Sequence, residues 1–306
     1  MRTALLLLTA LFAAYAAYAG IKYTRMISNI FMGLVYRPAS DTPGPAHGEP
    51  VTVMDSSGRE IQALRIPGHR DLPVILFCHE SGSGKESWEK YASFLTEAGH
   101  ELISIDLPES DTLSARNSLS QWPHAREVED VVTVIRWTRK AVREDARIVL
   151  FGVSKGADLA VAASFVEPSV VGVVADGLFS MKEIFRDYIR KWAPILVKPN
   201  LFGEKYPYWI VDLFASLGYW HCQRRSGLRF VDVEALLRKR RVPLLMIHGA
   251  EDDYISSGHQ RFLSRLDRRK GSVHLVVPQA RHNEAVAVDR YRYEETVRQF
   301  LVRCGS

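Results

Sequence analysis

Three short motifs in a fixed order constrain the fold of this chain more than any other feature. They are Gly-Val-Ser-Lys-Gly at 152–156, His-Gly-Ala-Glu-Asp-Asp at 248–253 and Ala-Arg-His-Asn at 280–283. The first motif follows an apolar run and precedes the alanine-rich segment 157–163, which predicts a strand, a tight turn with Ser154 at its apex, and a helix. A turn this sharp leaves no room for a side chain on either flank of the serine, which accounts for the two glycines.

The residues of these motifs form a candidate catalytic triad. A serine hydroxyl is a poor nucleophile near neutral pH, so Ser154 requires a base within hydrogen-bond reach. His282, in the loop after the last predicted strand, is the candidate that accepts the serine proton and returns it to the leaving group. A carboxylate must orient that histidine. Asp252 is the first choice, Asp253 the second, and Asp176, at the end of the preceding strand, the third.

A negatively charged tetrahedral intermediate needs two backbone N–H donors. Lys155, the residue after the nucleophile, is the first candidate. The second is Ser81, in the Gly/Ser-rich loop 79–84 that follows the predicted strand 74–78. This loop lacks the spacing of a phosphate-binding P-loop. No metal and no organic cofactor is predicted.

Continuous apolar runs alternate with helix-like segments along most of the chain. This pattern predicts an α/β fold with a mostly parallel sheet and helices on both faces. Segments 51–54 and 60–64 flank a turn and predict a hairpin. The predicted parallel strands are 74–78, 102–105, 148–152, 170–175, 244–248 and 273–277, and the predicted helices are 86–98, 125–142, 155–166, 258–266 and 289–301.

Segment 178–241 interrupts this alternation and is rich in aromatic residues. We expect it to form a lid insertion that lines or covers an apolar acyl site. The alternative is an ordinary crossover helix with core aromatics. Its arginines and lysines are typical of a solvated face, and contact with anionic lipid headgroups is a second interpretation.

The N-terminus is distinct, because residues 3–21 carry no charge and are dominated by leucine and alanine. This length suffices for a helix that crosses a bilayer, so residues 1–22 are predicted to be a transmembrane signal anchor. The run exceeds the usual apolar region of a secretory signal. The alternative is a cleaved signal, since Ala17-Tyr18-Ala19 before Gly20 resembles a cleavage site. That alternative predicts a secreted or periplasmic protein.

Composition excludes several other classes. The net charge is +5, yet no basic repeat with interleaved aromatics occurs, so nucleic acid is not an expected partner. The three cysteines are far apart and odd in number, which indicates neither a disulfide framework nor a zinc site.

From Gly33 to the C-terminus the chain is similar to the α/β-hydrolases, and this resemblance implies an α/β-hydrolase domain over 33–306. His-Gly-x-x-Asp at 248–252 resembles the acid motif of that superfamily, which favours Asp252 over Asp253. The apolar N-terminus followed by Leu-Val-Tyr-Arg-Pro at 34–38 resembles the membrane-anchored BEM46-like serine hydrolases.

Two departures from the superfamily pattern leave the substrate open. His79-Glu80 replaces the common His-Gly, although His-Glu occurs in dienelactone-hydrolase-like members, and the third residue of that motif, here Ser81, usually supplies an oxyanion N–H. Segment 106–110 departs from the usual Asp-x-Arg-Gly-x-Gly.

The leading hypothesis is a serine hydrolase that cleaves carboxylic esters, of the carboxylesterase or lipase type, acting on small-molecule, lipid or acylated substrates near a membrane. The second is a peptidase or amidase that uses the same triad. The third is a non-catalytic binding protein that keeps the fold, and the intact set of Ser154, Asp252 and His282 argues against it.

Overall fold

The computed structural model describes residues 2–33, 47–107, 121–197, 202–203, 205–239, 241–267 and 271–305. The segments 34–38 and 108–110, which entered the family resemblance, therefore lie outside the described residues. The chain forms two compact units: a helical unit built from Met1–Val35 and Met181–Leu228, and a sheet unit that contains most of the remaining residues.

The sheet unit is built on an eight-stranded sheet of order β1-β2-β4-β3-β5-β6-β7-β8. The hairpin β1 and β2 is antiparallel, β2 pairs antiparallel with β4, and all the other pairings are parallel. This arrangement confirms the predicted α/β-hydrolase fold. The strands are β1 Glu49–Met54, β2 Glu60–Ile66, β3 Val74–Cys78, β4 Leu102–Ile105, β5 Ile148–Val153, β6 Val170–Asp176, β7 Leu244–Gly249 and β8 Val273–Val277.

Helices cover both faces of the sheet because the central strands are apolar on both sides. Leu150 of β5 belongs to the core on one face, and its neighbour Phe151 belongs to the core on the other. The helices of this unit are α2 Trp88–Glu97, α3 Ala125–Trp137, α4 Lys155–Ala163, α7 Val233–Lys239, α8 Ser257–Leu266, α9 Ala285–Val288 and α10 Arg290–Gly305.

Helix α3 is shorter than the helix predicted over 125–142. It ends at Trp137, and a π-helical turn continues through Thr138–Val142. The Thr138 hydroxyl donates to the carbonyl of Val134 at 2.8 Å, which is the local hydrogen bonding that competes with a regular helix. Apolar periodicity persists through such a turn, so the sequence pattern did not reveal it.

The helical unit consists of α1 Arg2–Gly33, α5 Met181–Leu196 and α6 Tyr208–Ser226. The second half of α1 buries Thr24, Ser28 and Phe31, which recur at helical spacing on one face. The Phe31 ring stacks on Phe185 of α5 with centroids 3.5 Å apart. A buried hydrogen bond of 3.2 Å joins the Ser28 hydroxyl to the Cys222 thiol of α6.

The first half of α1 is different, because residues 2–18 are all exposed. Helix α1 is long and apolar enough to cross a membrane, judged by its length and composition. A signal sequence near an N-terminus meets the same criterion.

Candidate active site

Ser154 occupies the apex of the turn between β5 and α4. Its backbone φ is +50°, a strained value that is rare for a residue with a side chain and typical of a nucleophile elbow. Two close approaches fix the turn. A Cβ at Gly152 would lie 2.2 Å from the carbonyl oxygen of Gly156, and a Cβ at Gly156 would lie 2.0 Å from that of Cys78. Both positions therefore require glycine.

Ser154, His282 and Asp252 form one chain of hydrogen bonds. The Ser154 hydroxyl lies 3.0 Å from Nε2 of His282, and Nδ1 of His282 lies 2.8 Å from Oδ2 of Asp252. With the ring proton on Nδ1 and donated to Asp252, the lone pair of Nε2 accepts the proton of Ser154. The residues are 128 and 30 positions apart in the chain, so the parallel strand ends bring them together.

The surroundings of Asp252 keep its carboxyl group ionised. Burial opposes the charge, but the hydrogen bond and charge of His282 and the backbone N–H groups of Ile255 and Tyr254 together hold the pKa of Asp252 below its usual value. Those N–H groups donate to Oδ1 at 2.7 and 2.8 Å. One carboxylate oxygen is thus held by the loop while the other faces the histidine.

The other two carboxylate candidates lie in different environments. Asp253 is exposed. Asp176 is buried at the end of β6 and accepts a hydrogen bond of 3.0 Å from the Tyr293 hydroxyl. Burial raises the pKa of Asp176 to about 7. A carboxyl group that holds its proton up to neutral pH is a poor partner for an imidazolium, which favours Asp252 for that role.

The two predicted oxyanion donors lie at the ends of adjacent strands. Lys155 is the first residue of α4, and Ser81 is buried in the turn after β3. Strand β3 pairs with β5, with Cys78 opposite Gly152. The close approach of Gly156 to the carbonyl groups of Cys78 and His79 brings the start of α4 against the start of the Ser81 loop.

His79 and Glu80 hold the predicted loop in place, a role that the sequence pattern does not predict. Nε2 of His79 accepts the backbone N–H of Leu107 at 2.9 Å. The Glu80 carboxylate accepts the hydroxyl groups of Ser87 and Tyr91 at 3.1 and 3.2 Å. The unusual Glu80 in place of glycine was the available signal, because a carboxylate at a buried loop position needs donors nearby.

A buried ion pair also lies behind the elbow. The Lys155 ammonium is 2.5 Å from the carboxylate of Glu127 on α3, and both side chains are almost completely buried. Burial raises the pKa of Glu127 to about 7, although Lys155 opposes that shift. The pair fastens the first residue of α4 to α3. The sequence does not reveal this pair, because the two residues share no motif.

Comparisons with known proteins agree with this architecture. The model of the Alpha/beta hydrolase family matches residues 75–298. No curated protein matches the sequence. Among solved structures, an esterase of Pyrococcus furiosus is similar at 15% identity with a TM-score of 0.64, covering 89% of this chain and 98% of that chain.

Two further structures are similar to this chain. A membrane phospholipase A described as a bacterial virulence factor has 20% identity and a TM-score of 0.55, with 99% of each chain covered. Dienelactone hydrolase from Anabaena variabilis has 18% identity and a TM-score of 0.55, covering 82% of this chain and 97% of that chain. At such identities the likeness concerns the fold. Because the family model spans most of the chain, from β3 to α10, this protein belongs to the alpha/beta hydrolase family.

Proposed function

We propose that this protein is a serine hydrolase that cleaves carboxylic esters through an acyl-enzyme. The observation that carries the proposal is the hydrogen-bonded chain from the Ser154 hydroxyl through His282 to Asp252, on a strained elbow. Each member of the chain has the residue type and the contact that its role requires.

In the first step, Nε2 of His282 takes the proton of Ser154 as the hydroxyl oxygen attacks the ester carbonyl carbon. The carbonyl oxygen becomes an oxyanion, which accepts hydrogen bonds from the backbone N–H groups of Ser81 and Lys155. The intermediate collapses when the C–O bond to the alcohol breaks, and His282 returns its proton to the departing alkoxide. Asp252 stabilises the imidazolium while it holds that proton.

Water completes the cycle. His282 takes a proton from the water molecule as its oxygen attacks the acyl carbon bound to Ser154. The second tetrahedral intermediate releases the carboxylic acid, and the proton returns to the serine oxygen. Both halves use the same oxyanion donors.

We further propose that the substrates are lipids or other acylated molecules near a membrane. An apolar cavity of about 220 Å³ in the helical unit offers a site for a hydrocarbon chain, and α1, α5 and α6 all contribute to its lining. The similarity to a membrane phospholipase A extends over 99% of this chain, including the N-terminal helix. The BEM46-like subtype and the role of segment 178–241 as a lid belong to this proposal.

The N-terminal helix is proposed to be a retained anchor. Helix α1 continues through Gly20 without a break, and Tyr15 and Ala19 line the cavity of the helical unit. A cleavage before Gly20 would remove both residues. The domain division is accordingly an anchor at 1–22 and a hydrolase domain at 33–306.

The test is labelling of the full chain with a fluorophosphonate probe, followed by turnover of a short ester. Ser154→Ala should abolish labelling and leave only the residual turnover due to binding and the oxyanion donors. Ser164→Ala is the matched control, because this buried serine lies at the end of α4 and its hydroxyl donates to the carbonyl of Val161. Undiminished labelling of the Ser154→Ala variant would exclude the proposed nucleophile. Labelling without turnover of any ester, but with turnover of amides, would replace the esterase by an amidase.

A further inference from the structure

Exposed apolar side chains gather where α5 ends and α6 begins. We call this set the corner patch, and it consists of Trp192, Ile195, Leu196, Phe202, Tyr208 and Trp209. Trp209 and Tyr208 are 66% and 61% exposed. Trp192, Leu196 and Phe202 line one cavity, and exposed apolar side chains that gather on one part of a folded unit mark an interaction site.

The position of the corner patch along the axis of α1 follows from the contacts between the helices. Helices α1 and α6 run in the same direction, since Tyr23 contacts Phe214 and Asn29 accepts a hydrogen bond from Arg225. Counting back five residues along each helix from the first contact places Trp209 level with Tyr18. Tyr18 is the last residue of the fully exposed half of α1.

Helix α5 runs in the opposite direction and brings its C-terminal end to the same height. Phe185, in its first half, stacks on Phe31 near the end of α1. Trp192 lies two turns further along α5 and lines the same cavity as Tyr15 and Ala19. The ends of α5 and α6 therefore meet where α1 leaves the helical unit.

A bilayer matches the surface that the exposed half of α1 and the corner patch form together. Residues 2–18 extend about 25 Å as a helix, close to the hydrocarbon thickness of roughly 30 Å. A chain that spans the bilayer with this half of α1 holds Tyr18, and hence Trp209, at the membrane–water interface. Tryptophan and tyrosine are the residues enriched at that depth.

Basic side chains accompany these aromatics. The Lys22 ammonium lies 6.0 and 5.6 Å from the ring centroids of Tyr18 and Tyr23. The Lys191 ammonium lies 5.6 Å from that of Trp192, and Lys205 is exposed. Aromatic rings with lysines beside them suit the boundary between acyl chains and anionic headgroups.

We propose, taking the membrane anchor of the proposed function as given, that the corner patch is a second membrane contact. It inserts into the headgroup region of the leaflet at which α1 leaves the bilayer. The helical unit is then held at two points, by a spanning helix and by an interfacial corner. Its orientation relative to the bilayer is thereby fixed, which a single spanning helix does not achieve.

Trp220 provides a matched control on the same helix. Trp209, Leu213 and Trp220 are exposed along one stripe of α6. Trp220 is 52% exposed, and it lies about 16 Å further along the helix axis, away from the exposed half of α1. The Arg224 guanidinium lies 5.5 Å from its ring centroid. A bilayer at the proposed height reaches Trp209 and leaves Trp220 in water.

The experiment measures quenching of tryptophan fluorescence by brominated lipids. The full chain is reconstituted into vesicles of phosphatidylcholine and phosphatidylglycerol in which the phosphatidylcholine carries bromines on the upper part of its acyl chains. Wild-type protein is compared with the double variant Trp192→Phe/Trp209→Phe and with Trp220→Phe. We expect the double variant to lose at least half of the quenchable emission and Trp220→Phe to lose none.

Four other outcomes contradict the corner contact. Unchanged quenching in the double variant of a vesicle-bound chain would overturn it while leaving the anchor and the hydrolase proposal standing. Quenching that depends on Trp220 would reverse the orientation and overturn it too. A second copy of this chain on the corner patch would shield Trp209 from lipid, and a chemical cross-linker added to the vesicles would then trap a dimer. Failure of the full chain to bind vesicles would overturn both the anchor and the corner contact, whereas probe labelling of Ser154 would still report on hydrolysis.

Discussion

The sheet unit and the helical unit use apolar residues in opposite ways. In the sheet unit, every residue of β3, β5 and β7 is buried, and helices cover both faces. In the helical unit, leucines of α1 and aromatics of α1 and α6 are among the most exposed large apolar side chains of the described residues. One unit hides its apolar surface within itself, and the other leaves much of it outside.

This contrast shows that hydrophobicity alone does not define a core. Burial of the β5 side chains stabilises the fold by removing apolar area from water. The same gain for residues 2–18 and the corner patch requires an outside partner. The sheet unit thus buries its apolar side chains within itself, whereas part of the apolar surface of the helical unit is exposed.

The largest expected effect concerns the candidate catalytic residues of the sheet unit. Asp252→Asn should reduce kcat by a factor on the order of 10⁴, because an asparagine cannot stabilise the imidazolium or hold the required tautomer. Asp253→Asn is the neighbouring control and should change kcat less than about threefold, within the range of neutral surface changes. Ester turnover of both variants at saturating substrate is the measurement. The reverse ranking would assign the acid to Asp253.

A pair of leucines tests the contrast in burial directly. Leu150 in β5 is fully buried, whereas Leu213 in α6 is 47% exposed. Leu150→Ala should lower the free energy of unfolding by about 2–5 kcal/mol, because it removes contacts and leaves a cavity. Leu213→Ala should change it by less than about 0.5 kcal/mol. Denaturant unfolding of the detergent-solubilised chain, followed by circular dichroism, would decide. Equal losses would mean that the stripe on α6 belongs to a core.

The buried acid Asp176 predicts a pH dependence of stability in the sheet unit. Its pKa is raised to about 7 in the folded chain from the ordinary value of 3.8, so the folded state keeps a proton that the unfolded state releases. The resulting stabilisation is complete below pH 3.8 and is lost as the pH rises through 7. Between pH 5 and pH 8 this loss is on the order of 2–3 kcal/mol.

Asp176→Asn removes this titration and should flatten the decline of stability between those pH values. Asp253→Asn, at an exposed position, should decline as the wild type does. Unfolding curves at pH 5 and pH 8 provide the comparison. A slope in Asp176→Asn equal to that of the wild type would show that Asp176 is ionised throughout.

The smallest expected effect concerns the proposed acyl site in the apolar cavity of the helical unit. If a substrate acyl chain is buried in the protein, each further methylene adds about 0.8 kcal/mol of binding, or roughly fourfold in kcat/KM, until the site is full. Esters from C2 to C12 supply the series. A maximum at acetyl would remove the acyl site from the proposal and leave the aromatics of segment 178–241 with a purely structural role.

Much of the sheet unit could be predicted from the local pattern of apolar residues. The runs 74–78, 102–105 and 273–277 correspond to strands with those bounds, because a strand buried on both faces is continuously apolar. The hairpin predicted at 51–54 and 60–64 is also present, and each of its strands is two residues longer on the outer side. Ser154, His282 and Asp252 could be selected because each follows a strand, and parallel strands end at a common edge.

The partners that support these residues could not be read in this way. Glu127 forms an ion pair with Lys155, and Glu80 accepts a hydrogen bond from Tyr91. A glutamate in a helix or loop is ordinarily exposed to solvent, so the sequence does not predict either contact. Only the packing of α3 and α2 against the strand ends decides that these carboxylates are buried. The roles of Glu127 and Glu80 depend on residues that are distant in the sequence, so they produce no periodic pattern in the local sequence.

By itself, the sequence determined that a strained serine turn, a strand-end acid and a late histidine belong to a mostly parallel α/β sheet, and that the N-terminus is apolar enough to span a bilayer. Only the tertiary structure decided that the second half of α1 packs with α5 and α6, through contacts such as Ser28 with Cys222, 194 residues apart. The physical reason is the range of the forces involved. Backbone hydrogen bonding and the periodicity of apolar side chains act over a few residues, so the local sequence encodes them. Burial depends on which residues, distant in the sequence, pack against a surface.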